Sequence, residues 1–309
     1  MTFVNTGTHI AVGIDGSDTS LGAAKWAAAV AGKLGRSLQL VHSTSHPTRL
    51  LGIGDPTLSQ QLADSLTEDG TRILSEAVAA VREHAPEAQL TTLLDEEAPA
   101  TTLLTAAKDA SLIVVGATGR GSVERWLLGS TASRVAGRAP CPVVVWRGDP
   151  ADPGPDTRPI VVGVDGTSTS ANATETAFGF AELTGAPVTA VRTWTGEFAA
   201  DTVITDSMPI VGPATLLVDW DAVAGEQASK LREILAPYRQ RFPGVTVEEV
   251  SARGSAPREL LRVLDDAQLA VVGGRGRIAG ALLGSTSQNL LHRAERPVMI
   301  CRTDDTDPQ

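Results

Sequence analysis

Gly116-Ala-Thr-Gly119-Arg120-Gly121-Ser-Val-Glu124-Arg125-Trp-Leu-Leu-Gly129-Ser130 decides the reading of this chain. The stretch leaves an apolar run, Leu112-Ile-Val-Val-Gly116, and enters a helical pattern, Ser130 to Gly137. Gly116 and Gly119 let a ligand approach the backbone with no Cβ in the way. Gly129 and Ser130 stand at the first turn of the following helix, where unpaired N–H groups and the helix dipole favour a phosphate. The Ser130 hydroxyl offers another bond, and Arg120 and Arg125 offer charge-assisted ones. A single glycine after a strand is ordinary, and Ser130 alone would serve as a helix cap. The spacing of the whole set points to a ligand. There is no GxxxxGK[ST], so the loop is not that of a P-loop NTPase.

Outward from the loop, the chain repeats itself, which is the first thing to establish about a fold. Ile10-Ala-Val-Gly-Ile-Asp15-Gly16 returns as Ile160-Val-Val-Gly-Val-Asp165-Gly166. Asp109-Ala-Ser-Leu-Ile-Val-Val-Gly116 returns as Asp266-Ala-Gln-Leu-Ala-Val-Val-Gly273, and Leu127-Leu-Gly-Ser-Thr131 as Leu282-Leu-Gly-Ser-Thr286. The order is unchanged, so the chain is a domain duplication. The expected boundaries are 1–147 for the first copy, 148–157 for a proline- and glycine-rich linker, 158–303 for the second copy and 304–309 for a frayed tail.

In the first copy, short β-branched runs at His9–Asp15, Ser37–Ser43, Gln89–Leu94, Leu112–Gly116 and Val143–Trp146 read as strands. Helical patterns at Thr19–Leu34, Leu58–His84, Pro99–Ala107 and Ser130–Gly137 lie between them. Most strands are unbroken apolar runs, the mark of a parallel sheet covered on both faces. The fold class is therefore α/β, with two tandem, doubly wound, five-stranded parallel sheets of Rossmann-like, nucleotide-binding type. Ligands in such sheets sit at the carboxyl ends of strands, at the switch point of strand order. Asp15 and Gly116 end the first and fourth strands there.

The bulk numbers narrow the function. The chain has 309 residues, of which 42% are apolar and 20% charged. That length and balance support two globular domains. A net charge of −10 disfavours nucleic acid as a partner. The two cysteines, Cys141 and Cys301, fall at different places in the two copies. This argues against a disulfide framework and suits a reducing cytoplasm. Neither a signal peptide nor a membrane anchor is legible. Asn172-Ala-Thr174 matches a glycosylation sequon that a cytoplasmic chain would never use.

Asp15 and Asp165 each precede glycine. One reading has them start a turn through their own backbone bonds, the other has them bond a ribose or base. Val41 and Val115 serve equally as core valines and as walls for a purine. His42, at the end of the second strand, reads as a strand-end histidine before it reads as a catalyst, and Glu124 is the best carboxylate candidate for a base. Gly274-Arg-Gly276-Arg-Ile-Ala279 fits the loose GxGxxA dinucleotide form but follows the fourth strand rather than the first.

These residues resemble the tandem, ATP-binding branch of the universal stress protein family. Its signature, G-x2-G-x9-G-[ST], is matched by Gly116, Gly119, Gly129 and Ser130, and the resemblance runs over both copies. It implies strand order 3-2-1-4-5 in each copy. It implies an adenosine pocket of Gly13, Ile14, Asp15, Val41 and Val115, with phosphates held by Gly116, Gly119, Gly129, Ser130 and Thr131, and ATP accompanied by Mg²⁺ or Mn²⁺. The counterparts in the second copy are Gly163, Val164, Asp165, Val191, Gly273, Gly276, Arg277, Gly284, Ser285 and Thr286. There only seven residues separate Gly276 from Gly284 against nine in the first loop, so the loop either tightens around phosphates or pulls away from them. The resemblance further implies contact through the fifth strands, made within the chain or in a homodimer. Its functional expectation is a cytoplasmic regulator or sensor in the stress response that binds adenine nucleotide and signals through a protein partner or oligomer contacts, with no membrane. The alternatives are a slow ATPase or self-phosphorylating enzyme, and a relative such as an electron-transfer flavoprotein or an ATP pyrophosphatase. The last would want SGGxDS where this chain has Asp15-Gly-Ser-Asp18.

Overall fold

The computed structural model describes residues 7–44, 56–119, 128–195, 219–274 and 283–302. The first copy runs β1 (His9–Gly13), α1 (Asp18–Leu34), β2 (Ser37–Ser43), α2 (Pro56–His84), β3 (Leu90–Asp95), α3 (Pro99–Ala106), β4 (Ala110–Gly116), α4 (Ser130–Arg138) and β5 (Val143–Trp146). The second runs β6 (Ile160–Gly163), α5 (Ser168–Thr184), β7 (Val188–Trp194), α6 (Trp220–Arg241), β8 (Val247–Arg253), α7 (Ala256–Leu264), β9 (Leu269–Gly273), α8 (Ser285–Arg293) and β10 (Val298–Cys301). The connection from Thr195 to Asp219 falls, except for its ends, outside the described residues, as does the tail 304–309.

The expected order 3-2-1-4-5 is present twice, but the two sheets are one. The order among the described residues is β3-β2-β1-β4-β5-β10-β9-β6-β7-β8, ten strands in a single sheet. Every pairing is parallel except the seam, where Val143, Val144 and Val145 face Ile300, Met299 and Val298 in antiparallel register. The seam strands are apolar and buried throughout. Sharing them removes two exposed edges that a lone copy would have to protect.

Alternation along the strands divides the core into two layers. Ile10, Val12, Leu40, Val114 and Trp146 point to the face covered by α1 and α2, and Ile160, Val162, Val271 and Met299 continue that layer under α5 and α6. Ala11, Ile113, Val115 and Val145 point to the face covered by α3 and α4, continued by Val161, Val272 and Ile300 under α7 and α8. Both layers cross the seam. Each fully buried aliphatic side chain contributes about 1.5–3 kcal/mol. Trp26 of α1 stacks on Phe180 of α5, ring centroids 5.7 Å apart and 18° from parallel, which binds the copies through their helices as well.

The strand expected to reach Asp15 stops at Gly13. Ile14 still donates its N–H to the Val41 carbonyl at 2.8 Å. Beyond it, the chain turns through Gly16, whose φ is positive, a conformation that favours glycine. Ser17 then caps α1, accepting from the Ser20 N–H. Trp146 lies against Gly22 of α1 so tightly that a Cβ there would come within 2.3 Å of its ring. Its counterpart in β10 is Cys301, so the cysteine with no match in the first copy fills a seam position. Burial pushes the Cys301 thiol up to about 12. After β5, Gln268 holds the incoming chain. Its amide donates to the carbonyls of Asp156 at 2.5 Å and Arg158 at 2.7 Å, and its oxygen accepts from the Asp156 N–H. Among the described residues, no helix is long and apolar enough to cross a membrane.

Candidate functional site

The carboxyl ends of β1, β2 and β4 open into a cavity of about 350 Å³, within the range of small-molecule sites. Gly13, Ile14 and Asp15 come from the end of β1, Val41 from β2, Val115, Gly116 and Gly119 from β4 and its loop, and Gly129, Ser130 and Thr131 from the start of α4. Every site residue expected in the first copy and lying among the described residues lines this one cavity. Arg120 lies outside the described residues, as do Arg125 and Glu124. Val41 and Val115 are buried core valines that also line the cavity wall.

The floor is built close. A Cβ on Gly116 would meet Thr19 and Ser20 at 3.2 Å, one on Gly119 would meet the Asp15 carboxylate at 2.7 Å, and one on Gly129 would meet the Ala117 carbonyl at 3.3 Å. The loop is drawn in by the Gly129 N–H donating to the Ala117 carbonyl at 2.7 Å and by a 3.2 Å hydrogen bond between the Thr19 and Thr118 hydroxyls. At the head of α4 the N-cap is Gly129, which has no side chain with which to cap the first turn. By contrast, α1 and α5 are capped by the side chains of Ser17 and Thr167. The N–H groups of the first turn of α4 therefore face the cavity as donors, at the positive end of the helix dipole.

Asp15 does start the turn: its Oδ1 accepts from the Ser17 N–H at 3.0 Å and the Ser17 hydroxyl at 2.6 Å. Its carboxylate also borders the cavity beside Gly119, so the turn-forming role does not remove it from the site. Sequence reasoning passed over Ser20, which also lines the wall, takes the Asp15 N–H at 3.4 Å and donates to the Ser17 carbonyl at 2.9 Å. The signal was available, because Asp-Gly-Ser/Thr-x-x-Ser recurs with Ser170 in the second copy. His42 lines the cavity but donates its Nδ1–H to the Ile14 carbonyl at 2.6 Å, the bond of a strand-end histidine. Pro99 and Leu103 of α3 form an apolar wall that sequence reasoning also missed. Glu97 is exposed in the connection before α3, where its backbone carbonyl takes the Ser43 hydroxyl.

A second cavity, also of about 350 Å³, lies at the same place in the second copy. It is lined by Gly163, Val164, Asp165, Val191, Gly273, Gly284, Ser285 and Thr286, with Thr193, Ala256 and Leu260 among the wall residues not foreseen. Gly276 and Arg277 lie outside the described residues, as does Arg275. The start of α8 reaches the cavity despite the shorter loop. Ser287, which stands where the first copy has Ala132, ties it down by donating to the Gly273 carbonyl at 2.7 Å. Asp165 repeats the turn of Asp15, accepting from the Thr167 N–H at 2.9 Å and hydroxyl at 2.7 Å. Burial alone would raise its pKa, but the bonds from Thr167 and Ser170 and the charge of Arg192 outweigh burial and hold it below the usual carboxylate value.

A family model described as "Universal stress protein family" matches residues 7–147 and again 156–302. A universal stress protein of Mycobacterium tuberculosis is 33% identical over 305 residues, covering 95% of this chain and 96% of its own length. One from Mycolicibacterium smegmatis is 32% identical over 298 residues, covering 95% and 96%. Among solved structures, a universal stress protein from Archaeoglobus fulgidus superposes with a TM-score of 0.68 over 97% of both chains, at 18% identity, a likeness of fold.

Proposed function

The chain belongs to the universal stress protein family, in its tandem form, and on that premise we propose that it binds ATP in the first cavity and acts as a regulator that reports nucleotide through contacts with a partner. In this reading each copy, 1–147 and 158–303, is one nucleotide-binding unit joined by the linker 148–157. Gly13, Ile14, Asp15, Val41 and Val115 enclose the adenosine. Gly116, Gly119, Gly129, Ser130 and Thr131 take the phosphates. The observation that carries the reading is the head of α4, where a glycine-capped first turn leaves donors facing a cavity whose glycine floor no side chain obstructs.

Among the described residues, no cluster of three His, Cys, Asp or Glu side chains could hold a metal ion by itself. A divalent cation therefore fits as an ion carried by the phosphate oxygens, the usual habit of Mg²⁺ at nucleotide sites. The second cavity is the same size and has the same glycine-capped helix, and we assign it a nucleotide as well. Because β5 and β10 pair within the chain, contacts made in response to nucleotide would use the helical faces or the outer strands β3 and β8.

The test is to purify the protein, denature it, identify the released nucleotide and titrate ATP into nucleotide-free protein. The expected result is adenine nucleotide bound at two per chain. One per chain confines binding to a single cavity. No released nucleotide, together with no binding of added ATP, overturns the proposal.

A further inference from the structure

The two helices that head the cavities, α4 and α8, differ from the helices at the start of each copy at both ends. Helices α1 and α5 finish in Gly35 and Gly185, in left-handed conformation, whose N–H groups close back on the last turn. Helices α4 and α8 finish at Ala139 and Ala294 in extended backbone, with no such glycine. Their final carbonyls are met from the other copy. Arg147, the residue after β5, is buried and donates from Nη1 to the Ala294 carbonyl at 2.8 Å and from Nη2 to the Leu291 carbonyl at 2.7 Å. Arg302, the residue after β10, donates from Nη1 to the carbonyl of Gly137, near the end of α4. The antiparallel seam makes these two positions equivalent, so the exchange is reciprocal. Burial lowers the pKa of Arg147 from the ordinary arginine value, yet an arginine keeps its charge at neutral pH.

We propose that Arg302 positions the phosphate end of the first cavity, and Arg147 that of the second, each acting from the opposite copy through the helix it caps. The inference rests on the nucleotide reading above. Each helix has nine residues. At the usual rise per residue that is a length of about 13 Å. Its first turn has no side-chain cap of its own and is tied to the sheet by the Gly129 N–H in α4 and the Ser287 hydroxyl in α8, so the hold on the far end shares in setting its placement. A guanidinium on the last carbonyls fixes that end and neutralises the negative pole of the dipole whose positive pole faces the cavity. One short helix thus connects each cavity to the other half of the chain.

The experiment uses the full chain with Arg302→Met, Arg147→Met and the corresponding lysine variants. It reads amide hydrogen exchange by peptide, with and without ATP, and ATP affinity at each cavity from the protection of the α4 and α8 peptides. Arg302→Met is expected to speed exchange along α4 and weaken the first cavity by about tenfold, the scale of one charge-assisted hydrogen bond, leaving α8 and the second cavity unchanged. Arg147→Met is expected to do the converse. Each lysine variant, which keeps the charge and N–H donors but not the planar fork, is expected to recover part of the loss. An effect in the arginine's own copy, an equal effect on both cavities or no effect on either overturns the proposal. Should Arg147→Met fail to fold, Arg302→Met decides alone, since Arg302 is less buried. Should the unaltered protein bind no ATP, the nucleotide reading fails separately. The exchange of α4 then decides: an unchanged rate in Arg302→Met overturns the positioning role.

Discussion

Gly119 lies so close to the Asp15 carboxylate that a methyl group on its Cα would stand 2.7 Å from Oδ2. The contact joins the ends of β1 and the glycine loop at the floor of the first cavity. It makes Gly119 a position where a small change reaches the proposed site directly. Gly119→Asp sets a second carboxylate against Asp15 and places negative charge where phosphate is proposed to lie. ATP affinity at the first cavity is expected to fall by about a hundredfold or more, the scale of two lost charge-assisted bonds, while the second cavity keeps its ligand. Equilibrium binding to the purified variant checks this. Undiminished binding at the first cavity would show that the phosphates sit elsewhere.

The same reasoning applies beneath the sheet, where Gly22 admits the ring of Trp146. A Cβ at Gly22 would lie 2.3 Å from that ring, which is fully buried. Overpacking of this kind destabilises by about 1–3 kcal/mol, against about 1 kcal/mol recovered by placing alanine in a helix. Gly22→Ala is expected to lower the denaturant midpoint, and Trp146→Phe in the same chain to restore part of it. A variant as stable as the parent would refute the close contact.

How much of this was legible in the sequence depends on how local the cause is. The glycine loop and the turn at Asp15 were readable because each is fixed by residues a few positions apart: a parallel strand, a glycine, the head of a helix. The seam was not. Nothing near Arg147 in the chain announces that its partners are Leu291 and Ala294, and Gly22 looks like a weak point in a helix until Trp146 is seen against it. Cys301 breaks the repeat when residue types are matched, whereas β10 and β5 match in register. Pro99 and Leu103 reach the first cavity only because α3 folds over the sheet, a placement set by tertiary packing.

Two aspartates give the stability a predictable acid limb. Asp165 is held below its ordinary value of 3.8: its burial is outweighed by bonds from Thr167 and Ser170 and by the charge of Arg192. In Asp156 burial is likewise outweighed, by hydrogen bonds from Arg158 and the charges of Arg158 and Arg296. A depressed folded pKa contributes stability that is fully present above the unfolded value and is lost as pH falls through the folded one. Asp156→Asn and Asp165→Asn should therefore lower the melting temperature at about pH 7 and approach the parent's at a pH below 3.8. Thermal melts at the two pH values test this, and a difference that grows on acidification would reverse the sign argued here.

Cys301 gives the alkaline counterpart. Its thiol is raised to about 12 from 9.0 by complete burial, so the folded state favours the neutral form. Its contribution is present below the unfolded value and is lost as pH rises towards the folded one. A thiolate is the reactive species, and Cys141 is buried too. A thiol reagent at about pH 8 is expected to find neither cysteine in the native protein and both after denaturation. Rapid labelling of Cys301 in the native state would show that the end of β10 opens under α5.

The seam should also govern how the molecule unfolds. Trp26 and Phe180 stack across it from α1 and α5, both nearly fully buried, and both core layers run through it without interruption. Halves joined this way share their burial, so the parent is expected to unfold in one transition despite having two copies. Trp26→Ala or Phe180→Ala each removes a large ring, at about 3–5 kcal/mol. The double variant should lose less than the sum, by a coupling of about 0.5–1.5 kcal/mol for a stacked pair. With the helical contact gone and the β5–β10 pairing left, the two copies should begin to unfold separately, visible as a broadened or split calorimetric transition. Strict additivity in the mutant cycle would mean the rings touch without supporting each other, and the coupling of the copies would then rest on the strands and the crossed arginines alone.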